Sequence, residues 1–132
     1  MRNFSSNDLP DIDNTPKDPL GIAKKIYDNI HLIETQLLIN NENKRKSGIY
    51  KIYNKITGNF YIGSAITNRI SVRFRNHLIH GTGNSITKKA VNKYGINNFK
   101  FVILEYYPGI ILKENLKKEY LFLLERENYW IN

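Results

Sequence analysis

The chain has 132 residues, no cysteine, 41% hydrophobic residues and a formal net charge of +8. That length suits one domain with a single core, and the absence of thiols excludes disulfides and thiolate metal sites. The longest apolar run, residues 120–124, falls far short of the roughly 20 residues a membrane-spanning helix needs, so a soluble protein that avoids the membrane is expected.

Charge is divided unevenly. Residues 1–46 carry seven Lys/Arg and seven Asp/Glu, whereas residues 47–132 carry thirteen and five. The positive excess of the second segment suits phosphate neutralisation and a salt-sensitive affinity for polyanions; a surface kept soluble by charge is the other reading.

Residues 1–19 are rich in Asn, Asp and Ser and are interrupted by Pro10, Pro16 and Pro19, which predicts a disordered leader. Its acids Asp8, Asp11, Asp13 and Asp18 fit neither a secretory signal nor an Arg-rich transit peptide. Over residues 20–39 the positions Leu20, Ala23, Ile26, Tyr27, Ile30, Ile33, Leu37 and Leu38 recur at helical spacing and predict a separate amphipathic helix. Residues 40–46 read as a polar linker. Asn, Ile, Lys and Tyr are abundant throughout, as in proteins from AT-rich genomes.

A hairpin follows. Ile49, Tyr50, Ile52 and Tyr53 are strand formers, Thr57-Gly58-Asn59 supplies turn chemistry, and Phe60, Tyr61 and Ile62 resume the strand. An even-numbered loop within residues 54–59 puts Ile52 opposite Tyr61 and Tyr50 opposite Gly63, so both phenols share one face. Gly48 and Gly63 leave room for a backbone or a phosphate to approach. Taken alone, two strand tyrosines read as core packing.

A helix is predicted from a Thr67 cap to about His80. Ile66, Ile70, Phe74 and Leu78 form its buried row, bordered by Arg69, Arg73 and His77. Arg73 and His77, four residues apart, can address one anionic group with a guanidinium fork and a titratable imidazole; a solvated helix face is the competing reading. A short helix over residues 85–94 ends at Gly95. Residues 99–106 read as a strand alternating Phe99, Phe101, Ile103 and Glu105 against Lys100, Val102, Leu104 and Tyr106, closed by Pro108 and Gly109. The last helix, residues 113–131, has the apolar stripe Leu116, Tyr120, Leu123, Leu124 and Trp130. Glu127 falls on that stripe, and its carboxylate needs a metal ion, a basic residue or a phenol as partner.

Gly48-Ile49-Tyr50 and Tyr61-Ile62-Gly63 stand ten residues apart, followed by Arg73 and His77, by Lys93-Tyr94-Gly95 and by Glu125-Arg126-Glu127-Asn128-Tyr129-Trp130-Ile131. In order and spacing, residues 47–132 resemble the GIY-YIG nuclease family, and within it the intron-associated homing endonucleases. The resemblance implies an α+β fold with a small three-stranded antiparallel sheet flanked by helices. It also implies a DNA endonuclease that uses Mg2+ or another divalent cation and no small-molecule cofactor. Glu127 then resembles the metal ligand, Arg73 the phosphate clamp, His77 a proton shuttle or orienter, Tyr50 the residue that deprotonates the attacking water and Tyr61 a positioning group. Arg69, Arg75, Lys88, Lys89 and Lys93 are the expected DNA contacts. Two departures stand out. Thr82 occupies a position where many homing members carry histidine, with His80 as a nearby substitute. The family also places an Asn and a DNA-binding region beyond the last helix, so a truncated domain is expected, and a catalytically impaired nucleic-acid-binding remnant is the alternative function. A basic interaction module in which the tyrosines only pack is the third reading. An organelle-encoded, mitochondrial origin is expected, with a bacterial or phage intracellular origin as the alternative.

Overall fold

The turn over residues 55–58 sets the register on which the sheet is built. Asn54 Oδ1 accepts from Ile56 N at 2.9 Å, Gly58 N returns to Asn54 O at 2.8 Å, and Gly58 takes φ 78°. A glycine is the natural residue for that left-handed position. In this computed structural model of the chain, residues 2–3, 23–109 and 112–131 are described. The strands are β1 (Arg2–Asn3), β2 (Lys25–Tyr27), β3 (Gly48–Asn54), β4 (Asn59–Ala65) and β5 (Phe99–Tyr106). The helices are α1 (Ile33–Glu42), α2 (Ile70–Phe74), α3 (Ser85–Tyr94) and α4 (Leu116–Ile131). α2 runs on into a π-helical turn, Arg75–His80.

The hairpin has the expected register, with Tyr50 opposite Gly63 and Ile52 opposite Tyr61. β3 is central, and the antiparallel order is β1-β4-β3-β5-β2. The expected α+β architecture stands, but among the described residues the sheet has five strands rather than three, with the two-residue pairing of β1 at one edge and β2 at the other. The edge strand β2 comes from the segment expected to be helical. Asn29 adopts φ 52°, which breaks the run, and residues 25–27 satisfy their backbone groups on the open edge of β5. Helix α1 starts only at Ile33, and it is not separate: Ile39, with Tyr27 and Ile30, is buried in the same core as Tyr50 and Phe101. Ile26, Ile33, Leu37 and Leu38, counted on the apolar stripe, are exposed. Residues 20–22 and, apart from β1, the expected leader lie outside the described residues.

Each face of the sheet carries its own core. On one side Tyr50, Ile52, Phe101 and Ile103 meet Ile70, Phe74 and Leu78; on the other Ile49, Tyr53, Phe60, Ile62, Val102 and Leu104 meet Leu123 and Trp130 of α4. α4 is rotated from the expected stripe. Glu119, Leu123 and Trp130 face inward, while Leu116, Tyr120 and Leu124 are exposed. The cause is polar: Glu119 Oε2 accepts from Thr67 N at 2.8 Å, and that bond holds Thr67 and Asn68 at φ 55° and 61°. Thr67 is therefore not a helix cap, and α2 begins at Ile70. A buried carboxylate can outcompete leucines for a helix face when it satisfies a backbone donor nothing else reaches.

The simple alternation expected for β5 is also interrupted. Ile49 pairs with Glu105 but Tyr50 with Ile103, a bulge that leaves Leu104 as the extra residue. Glu105 thereby joins Leu104 on the α4 side. It accepts from Arg126 Nε at 2.7 Å, from the Arg126 terminal nitrogen at 2.8 Å and from Trp130 Nε1 at 2.9 Å. Re-aiming one side chain is a typical consequence of a bulge. Gly48 allows the close approach, since a Cβ there would collide with the Glu105 carbonyl oxygen. Among the described residues no helix is long and apolar enough to cross a membrane.

Glu105→Ala would remove the carboxylate that Arg126 and Trp130 share, and a loss of about 2–4 kcal/mol in urea unfolding is expected. Glu105→Gln, which retains one acceptor oxygen but not the charged fork, should lose less; an unchanged stability in Glu105→Ala would show that the fork-like pairing contributes nothing.

Candidate active site

Tyr50 points across β4. Its ring lies directly over Gly63, where an added Cβ would meet Tyr50 Oη at 2.6 Å and Tyr61 Cε2 at 3.0 Å. The glycine admits phenol rings there, rather than the backbone or phosphate its sequence position suggested. Gly63 therefore sets where both hydroxyls can go.

The Tyr50 hydroxyl ends 2.8 Å from His77 Nε2. Ring centroids are 5.7 Å apart for Tyr50 and His77, 5.4 Å for Tyr61 and His77, and 6.3 Å for Tyr50 and Tyr61. Tyr50 and His77 are only 2% and 4% exposed, whereas Tyr61 is half-buried beside them. The π-helical turn matters here. It widens the spiral after Phe74, and Gly81 N, Thr82 N and Gly83 N all return to Asn76 O. That closure lays Gly83 against the imidazole, where a Cβ would collide with Nδ1. π-turns recur where a helix must present a functional side chain.

Electrostatics follow from burial. Desolvation lifts the Tyr50 phenol far above its ordinary value, with neighbouring Tyr61 and the negative charge of Glu127 adding to it and Arg73 opposing it. His77 is pushed down to about 4 by burial and by the Arg73 cation, so its imidazole is neutral at physiological pH. Its Nδ1 is buried without a hydrogen-bond partner, as is Arg73 Nε. Arg73 and Glu127 are half-buried. The five residues singled out from sequence thus fall into two groups. Tyr50, Tyr61 and His77 are in ring contact, and Arg73 and Glu127 act on Tyr50 through their charges from α2 and α4.

Other expectations divide. Arg69, Lys88, Lys89 and Lys93 are exposed, but Arg75 donates to Asn40 Oδ1 of α1 at 2.9 Å and so is partly committed to the fold. Thr82 and His80 are exposed. Sequence reasoning missed Gly83 and Glu119. Gly83 carries no local signal beyond being a glycine, and Glu119 has the pattern of an ordinary charged helix residue beside a leucine stripe.

A divalent cation is testable against the donor set. Among the described residues no group of three or more His, Cys, Asp or Glu is assembled. That rules against a nitrogen- or carboxylate-rich cage but fits a hard ion, which commonly takes one or two carboxylates and completes its shell with water and phosphate oxygens. Glu127 is a carboxylate whose charge reaches Tyr50.

The GIY-YIG catalytic domain family matches residues 46–132. Over 106 residues the chain is 42% identical to "Probable intron-encoded endonuclease bI1" of Neurospora crassa, covering 80% of this chain and 23% of that protein. Over 102 residues it is 31% identical to "Probable intron-encoded endonuclease 1" of the same fungus, covering 77% of this chain and 30% of the relative. The chain thus spans less than a third of the length of either. No solved structure matches it significantly.

Because the folded value of His77 lies below 6.5, the unfolded chain binds its proton first on acidification. The stability held by neutral His77 is intact above about pH 6.5 and declines as pH falls towards about 4. His77→Gln should flatten that part of the stability profile, read by urea unfolding at several pH values; an unchanged slope would place the acid sensitivity elsewhere.

Proposed function

The chain belongs to the GIY-YIG catalytic domain family, and we propose that it is a homing-type DNA endonuclease whose unit at residues 47–132 hydrolyses phosphodiester bonds with a divalent metal ion, Mg2+ being the expected one. The observation that carries this reading is the 2.8 Å contact between the buried Tyr50 hydroxyl and the neutral His77 imidazole, with Arg73 and Glu127 acting on the same phenol.

A resting phenol held above its ordinary value is a poor base. The pairing resolves this without prior ionisation. As the Tyr50 oxygen takes a proton from the attacking water, its own proton passes to His77 Nε2, so negative charge does not accumulate in a buried site. This assigns the resting proton of His77 to Nδ1, the atom enclosed by Gly83. Tyr61 orients the water beside Tyr50, and the Arg73 fork binds the non-bridging phosphate oxygens and balances the charge that builds on them. Glu127 would hold the cation, which when bound supplies Lewis-acid charge at the phosphate and leaving oxygen. Arg69, Lys88, Lys89 and Lys93 supply non-specific attraction to the DNA backbone.

A second reading, a binding remnant that does not cut, draws on Thr82, which stands where many homing members carry histidine and which offers no titratable group. We favour the endonuclease because the proton path from Tyr50 ends on His77 and does not require a second imidazole. The intron-encoded relatives support an organelle-encoded, mitochondrial origin.

Incubated with supercoiled plasmid and Mg2+, the protein should nick it, and EDTA should stop the reaction. Glu127→Ala should lower nicking by at least about a hundredfold with the fold intact. Tyr50→Phe, which keeps the ring but removes the proton carrier, should lose a comparable factor. Full activity in either variant would remove that residue from the mechanism.

A further inference from the structure

At the end of the hairpin away from the turn lies a cavity of about 430 Å³ lined by Arg45, Lys46, Ser47, Asn68, Tyr106 and Tyr107. None of these belongs to the catalytic group or to the expected DNA contacts. We infer that this pocket is a subsite for one nucleotide of the DNA strand, its phosphate on Arg45 and Lys46 and its sugar and base against the two tyrosines. The inference rests on the endonuclease reading.

Three features carry it. First, the rim is built rather than incidental. Ile70 N donates to Lys46 O at 3.3 Å, Tyr107 N to Ser47 O at 2.8 Å and Asn68 N to Ser47 Oγ at 2.7 Å, so the loop is joined to the head of α2 and the end of β5. Arg45 and Asn68 take φ 59° and 61°, conformations a non-glycine residue holds only when its surroundings impose them. Second, the charge is available. Arg45 and Lys46 are exposed, Lys46 Nζ is poised 4.7 Å from the Tyr106 ring centre, and neither cation has an ion pair among the described residues. Glu42, the acid whose field Lys46 touches, is already engaged by Tyr27 and Lys25. Third, size and lining exceed what a lone phosphate would fill. A volume in the range of small-ligand sites, lined by two cations and two phenols, offers partners for both the anionic and the aromatic parts of a nucleotide. Ser47 precedes Tyr50 by three strand residues, about 10 Å of extended chain, so the pocket would meet the strand a few nucleotides from the scissile phosphate.

The test uses the whole chain and the double variant Arg45→Gln/Lys46→Gln; both side chains are exposed, and a thermal melt verifies folding. A labelled duplex oligonucleotide is titrated in EDTA between about 50 and 200 mM salt. The variant should bind roughly tenfold more weakly, its plot of log affinity against log salt should be shallower by about 1.4–1.8, and its nicking rate at saturating DNA should stay within about twofold of the wild type. Lys117→Gln/Lys118→Gln, which removes the same charge from α4, should change the slope by less than half as much. A wild-type slope in the pocket variant, or an equal effect from the α4 control, overturns the inference. Free nucleotide is the other source of this chemistry: stabilisation of the wild type by millimolar deoxyadenosine monophosphate, with oligonucleotide binding unchanged in the variant, overturns the assignment to DNA. A wild type that neither binds nor nicks DNA removes the endonuclease reading itself, whereas one that does both beside an unaffected variant removes only the pocket.

Discussion

Everything at the candidate site depends on how Tyr50 is laid down. Its ring crosses β4 because Gly63 has no side chain, and its hydroxyl can then reach only as far as His77 Nε2. One steric permission and one hydrogen bond therefore couple the hairpin to the helix that carries Arg73. The imidazole is confined from the opposite edge by Gly83, which the π-turn brings back. Two glycines far apart in sequence thus lie against a buried phenol and a buried imidazole, and burial is the largest cause that keeps both neutral, with the charges of Arg73 and Glu127 acting on top of it.

The other constraint is the docking of α4. Near its start Glu119 anchors the left-handed turn before α2, and near its end Arg126 and Trp130 are held by Glu105. Glu127 lies between Arg126 and Trp130 in sequence, so its direction is inherited from that pairing. The bulge that turns Glu105 towards α4 is the same irregularity that Gly48 permits. Each residue of the first tripeptide also has a packing role: its glycine admits a backbone, its isoleucine fills one core and its tyrosine enters the other.

Much of this was legible in the residues themselves. Hairpin register follows from the even loop and its turn residues, β5 from alternation and α3 from its end at Gly95. The grouping of Tyr50, Tyr61 and His77 followed from motif order. Three things were hidden because the deciding partner is remote in sequence. Residues 25–27 have a helical pattern until the open edge of β5 is known to be waiting for them. Glu119 passes for a surface residue until Thr67 N is found needing an acceptor. Glu105 keeps simple alternation until Tyr50 skips a residue. Local periodicity records which side chains are apolar, but it does not record which backbone donors lack partners.

The placement of β2 has a further consequence. The segment matched by the family begins at residue 46, yet the outer rim of β5 is covered by residues 25–27, and Tyr27, Ile30 and Ile39 fill the core beneath Phe101. A chain trimmed to the matched segment would bare the edge of β5 at Phe101, Val102 and Ile103 next to an emptied apolar hollow, the combination that invites self-association. The stretch ahead of the motif thus acts as a molecular selvedge, keeping the sheet from unravelling into its neighbours.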